Sequence, residues 1–178
     1  LFPIGNASVY APVSLASATI TADGNLVVST TGNVNSQGAF SSSGLSQSKY
    51  VNRNWTITAA NGYAQSAGEV TFNFVGGDVQ GAMNTATDMV GSYSGSVWTR
   101  PAVAGRTSTS ITVSGITSFG DFVIGELPVP VFSNLSSKTN TYGTTSVALT
   151  GTLSANSGTA FPVNGSPVTA SINGQPVA

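Results

Sequence analysis

Hydrophobic residues in this chain recur at every second position, and no window carries the three-to-four-residue spacing of an amphipathic helix. That one property restricts the fold to sheets, because a period of two turns one side of each segment to a core and the other to water. The pattern is clearest at residues 69–75, where Val70, Phe72 and Phe74 share a face. It recurs at residues 50–59, where Val51, Arg53, Trp55, Ile57 and Ala59 alternate with Asn52, Asn54, Thr56 and Thr58.

Residues 110–131 set the domain organisation. Ile111 and Val113 mark one strand, Ser118-Phe119-Gly120 a turn, and Phe122 and Ile124 a second strand. Alternation stops at Glu126, and Pro128 and Pro130 then fix φ at two positions and favour an extended hinge. The expectation is an all-β protein: a β-sandwich over residues 1–127, followed by a partial immunoglobulin-like sandwich over residues 128–178. The first part offers about eight short strands at sandwich spacing, and the second about four of the roughly seven an immunoglobulin-like domain needs.

Local signals fill in that frame. Pro12 confines the strand at residues 9–15 to an edge or a bulge. Asp23-Gly24-Asn25 predicts a hairpin between residues 18–21 and 26–29. The polar tract at residues 30–48 reads as a loop, with a binding loop as the functional alternative. Residues 88–93 and 96–100 read as two strands joined around Ser94-Gly95, and residues 101–106 as a loop. Past the hinge, Val147, Leu149 and Leu153 mark one strand and Val168, Ala170 and Ile172 another, with a loop containing Phe161-Pro162 between them. Asn173-Gly174 signals a closing hairpin. The second domain thus reads as stopping mid-fold, and the chain as a mature or excised piece of an exported protein.

Composition excludes whole classes of chemistry. The chain has no histidine and no cysteine, which removes His-dependent triads, thiolate zinc sites and disulfides. Charged residues make up 6% and the net charge is -1, so no basic footprint for nucleic acid exists. With 40% hydrophobic residues the chain is expected to fold rather than remain disordered. No apolar run is long enough to span a bilayer as a helix.

Few side chains remain as candidates. Trp55 and Trp98, with Tyr63 and Tyr93, could stack on sugars, or the tryptophans could simply be core. Asp78, Asp88 and Asp121 have the chemistry of calcium ligands but lack Asp-x-Asp spacing. Glu69 with Asp88 or Asp121 could form a glycosidase pair, although no motif supports it. Arg53 stands on an apolar face and is expected to pair with Asp121 or Glu69, or else to reach solvent from the sheet end. Asn6, Asn54 and Asn134 begin glycosylation sequons of a kind that Asn-, Ser- and Thr-rich chains produce by chance. No catalytic residue, metal ligand or cofactor site is assigned, and the chain is not read as an enzyme.

The segments FPIGNASVYAPVSL (residues 2–15), YVNRNWTIT (50–58) and GITSFGDFVIGE (115–126) together resemble a β-sandwich module of large secreted surface proteins of Bacteroidetes and related environmental bacteria. Residues 141–175, TYGTTSVALTGTLSANSG…FPVNGSPVTASINGQ, resemble the tandem bacterial Ig-like repeats of adhesins and surface fibres. The resemblance implies an extracellular, cell-surface structural or adhesive role and transfers no catalytic residue. Its expected partners are other copies of the chain or neighbouring Ig-like domains. A filament subunit completed by strand addition and a fragment of a tandem array both fit. A carbohydrate-binding module contacting surface glycans is the alternative.

Overall fold

Val70 and Phe72 on one strand, and Phe122 and Ile124 on another, are completely or almost completely removed from solvent, and they belong to two sheets that meet face to face. The computed structural model describes residues 1–16, 19–34, 40–136, 138, 139, 141–143, 148, 150–155, 170–172 and 175–177. Its strands are β1 (Val13–Ala16), β2 (Ile20–Ala22), β3 (Asn25–Thr31), β4 (Asn54–Ala60), β5 (Ala64–Gln65) and β6 (Gly68–Asn73). They continue with β7 (Met89–Ser94), β8 (Val97–Thr99), β9 (Ala102–Thr107), β10 (Ser110–Ile116) and β11 (Asp121–Gly125). Beyond the prolines lie β12 (Pro130–Ser133), β13 (Thr152–Ala155), β14 (Ala170–Ile172) and β15 (Gln175–Val177).

The chain is all-β; nine of the strands from β1 to β11 build a sandwich, and β2 and β5 form a separate two-stranded sheet. One sheet runs β1-β6-β10-β9 and the other β3-β4-β11-β7-β8, with antiparallel pairing. Val13, Val70, Phe72, Ile111 and Val113 from the first sheet pack against Trp55, Ile57, Val90, Phe122 and Ile124 from the second. Phe72 bridges the layers, with its ring 5.3 Å from Trp55 and 4.9 Å from Phe122. As Pro12 predicts, β1 is an edge strand.

Three expectations are corrected. The hairpin at Asp23-Gly24-Asn25 does not form: β2 pairs with β5, and β3 pairs over its full length with β4. The left-handed turn falls instead at Asn61-Gly62, with φ of 55° and 81°, between β4 and β5. Gly24 serves close approach, since a Cβ there would lie 2.3 Å from the Tyr63 nitrogen and 2.6 Å from the Ala60 oxygen. Residues 101–106 are not a loop but most of β9, whose small side chains hide a strand in which Val103 packs on the core.

The third correction concerns the polar tract. Thr30 and Thr31 end β3, and Val34, Phe40 and Leu45 bury themselves with Val123 on the outer face of the five-stranded sheet. This cap is tied down by backbone bonds from Ser46 N to Glu126 O and from Glu126 N to Lys49 O. Arg100 adds a bond from Nη2 to the Gly44 carbonyl at 2.9 Å. The five-stranded sheet is therefore covered on its inner face by the other sheet and, around Val123, on part of its outer face by the cap.

Past residue 127 the described strands pair two by two, β12 with β13 and β14 with β15. Residues 130 and 131 of the expected hinge belong to β12. The strands flanking Asn173-Gly174 pair as expected, with Ile172 opposite Gln175. Val147, Leu149, Val168 and Phe161-Pro162 lie outside the described residues. Among the described residues no helix is long and apolar enough to cross a membrane.

Candidate functional site

Arg53 is fully buried, and its partner is neither Asp121 nor Glu69. The guanidinium makes a two-pronged contact with Asp78, Nε to Oδ2 at 2.7 Å and Nη2 to Oδ1 at 3.2 Å, and its Nη1 reaches Thr30 Oγ1 at 3.3 Å. Asp78 follows Gly76-Gly77 in a single 3-10 turn, which turns the carboxylate onto the Arg53 guanidinium. With 0% exposure, Arg53 does not reach solvent either. Glu69 is exposed on β6. Asp121 is held by Thr56 Oγ1 and by Asn54 Nδ2, the latter at 3.3 Å.

Two more buried acids meet a cation, Glu126 with Lys49 and Asp88 with Arg106. Arg106 donates from Nε to Asp88 Oδ1 and, from Nε and Nη2, to its carbonyl, while Oδ2 has no partner among the described residues. Burial pushes this carboxyl up from 3.8 to about 6, and the hydrogen bond and charge of Arg106 offset only part of that. A carboxyl that binds its proton more tightly folded than unfolded stabilises the fold at low pH. That contribution is complete below the unfolded value and is lost as pH rises through about 6. Asp88→Asn is therefore expected to raise stability at pH 7 by about 1–3 kcal/mol and to flatten its dependence between pH 4 and 7. Thermal melts across that range check it; a wild-type stability that climbs with pH there would contradict it.

The tryptophans separate. Trp55 is 0% exposed and sits in the core, so it cannot stack on a ligand. Trp98, on β8, is only partly buried and lies on the outer face with its ring centroid 5.0 Å from that of Tyr93 and tilted by 40°. Gly91 makes room for it: a Cβ there would lie 3.1 Å from Cζ3 and 3.3 Å from Cε3 of the indole. Tyr63 is elsewhere, against Phe119.

Register then assembles a group the sequence did not announce. Residues directly opposite on antiparallel strands share a face. Ser29 faces Thr56, Thr56 faces Asp121, Asp121 faces Tyr93, and Tyr93 faces Trp98. These five side chains form one row across all five strands, about 19 Å from end to end at the usual strand spacing. Asp121 accepts both of its hydrogen bonds at Oδ1, and neither its Oδ2 nor the Tyr93 hydroxyl has a protein partner among the described residues. Asn54 Oδ1 and Trp98 Nε1, on the same face, are buried without one.

The remaining expectations are not brought together. Asp78, Asp88 and Asp121 each have their own partners, and among the described residues no three acids could share a metal ion. Glu69 lines an open cavity of about 350 Å³ with Ala16, Ala67, Gly68, Ser114 and Gly115, and neither Asp88 nor Asp121 joins it there. A second cavity, about 240 Å³, lies at the cap between Phe40, Tyr50, Gln47 and Asn52. Comparison with protein-family models, with curated proteins and with solved structures finds no match.

Proposed function

We propose that this chain is a structural, adhesive component of an extracellular assembly, in which the sandwich is a rigid unit and the strands past the prolines join a neighbouring copy. The observation that carries this is β12. Its Val131 and Phe132 are 40% and 52% exposed, Leu135 just beyond is 68% exposed, and among the described residues its strand partner is β13. A two-stranded sheet is marginal in water, and apolar strands with an open edge invite strand addition. The resemblance of residues 141–175 to tandem Ig-like repeats points the same way, as does a surface with few charges to keep copies apart.

Light scattering and electron microscopy of the full chain test the proposal. Concentration-dependent association is expected, weakened about tenfold or more by Val131→Asn with Phe132→Asn, since buried apolar anchors dominate such contacts. A chain that stays monomeric at every concentration, or association indifferent to both substitutions, would overturn it.

A further inference from the structure

We infer that the row Ser29, Thr56, Asp121, Tyr93 and Trp98 is a binding site for a neutral, hydroxyl-rich glycan chain lying across the strands. The chemistry is that of a ligand with both C–H faces and hydroxyl edges. At one end the Tyr93 and Trp98 rings offer partly exposed aromatic surface with polar tips. In the middle, Asp121 Oδ2 and the Tyr93 hydroxyl are polar groups with no protein partner among the described residues, able to engage ligand hydroxyls. At the other end Thr56 and exposed Ser29 add donor–acceptor hydroxyls. A sheet row that existed only for packing would satisfy its own polar groups; this one does not. Asn54 Oδ1 and Trp98 Nε1, buried and unpaired on the same face, are groups of the kind that a ligand or bound water completes.

Charge and shape narrow the ligand. Asp121 is the one formal charge in the row, and the cation next along β8, Arg100, is engaged with the Gly44 carbonyl. A polyanion would meet the Asp121 carboxylate within the row, while the Arg100 guanidinium is tied to the cap, so a neutral polymer is favoured. The row is about 19 Å long, which suits an extended chain better than a compact small molecule. Alignment is built in: Gly91 lets the indole lie against the sheet, and Asn54 and Thr56 fix one carboxylate oxygen and leave the other without a protein partner among the described residues. This site is distinct from β12, so binding and self-association can succeed or fail separately.

The test is retention of the full chain on cellulose, chitin, xylan, mixed-linkage β-glucan and starch, with alginate and heparin as charged controls. Binding to at least one neutral polymer is expected, unchanged by salt and accompanied by a change in tryptophan emission, because Trp55 is sealed in the core and Trp98 is not. Asp121→Ala and Trp98→Ala should each weaken retention about tenfold or more. Since Trp98 also packs against the cap, Tyr93→Ala is made beside it, and circular dichroism confirms that each variant keeps its sheet. Failure of the folded wild type to bind any neutral polymer, retention only on alginate or heparin, or full binding by folded Asp121→Ala and Tyr93→Ala would each overturn the assignment.

Discussion

Asp78→Ala is expected to destabilise the sandwich by about 3–5 kcal/mol, the usual result of stranding one member of a buried ion pair. The reason lies in what remains. Arg53 has 0% exposure, and of its contacts only the one to Thr30 would survive, so a full positive charge would be left inside the protein with one hydroxyl for company. Removing the charge as well reverses most of the loss: Arg53→Met with Asp78→Ala should be clearly more stable than Asp78→Ala alone, because an apolar side chain tolerates that site and a lone guanidinium does not. The difference between single and double variants in urea unfolding measures the coupling directly. High salt should barely change it, since the pair lies out of reach of ions that screen surface charges. An Asp78→Ala protein within about 1 kcal/mol of wild type would mean that Arg53 finds water after all.

That pair also marks where the sequence stops being readable. The face carrying Arg53 follows from alternation, and so does the need for a partner, because a guanidinium among Val51, Trp55 and Ile57 cannot stand alone. The identity of the partner does not follow. Asp78 comes after two glycines and has every local mark of a turn residue, and only the 3-10 turn brings it back to Arg53, just ahead of β4. The same distinction runs through the fold. Val70, Phe72 and Phe74 are plainly core because their signal is local. Val34, Phe40 and Leu45 are single apolar residues in a tract of serine, glycine and asparagine, with no period to declare a face, yet they cover part of the outer face of a sheet. Asp23-Gly24-Asn25 carries the local marks of a tight hairpin turn but leads to a strand with another partner, while the left-handed turn falls at Asn61-Gly62, directly after a run of alternation. Trp98, Asp121 and Tyr93 could each be picked out singly. Their row could not, because it depends on non-local pairings whose register no short segment encodes.

The second large effect separates the two tryptophans. Trp55→Ala should cost about 3–5 kcal/mol, because it removes the largest fully buried side chain from between Phe72 and the five-stranded sheet and leaves a hole that neighbouring strands cannot close. Trp55→Phe should cost less than half as much. The ring still meets Phe72, and the substitution eliminates an indole N–H that is buried without a partner, which offsets part of the lost volume. Trp98→Ala, at a partly exposed position, should fall well below Trp55→Ala in stability while losing whatever the outer face binds. Urea midpoints and near-ultraviolet dichroism of the three variants give the order. If Trp55→Phe proved as damaging as Trp55→Ala, the unpaired indole nitrogen would have to be making a contact that stabilises the core. If Trp98→Ala proved the worst of the three, the cap would outweigh the sandwich interior as the seat of stability.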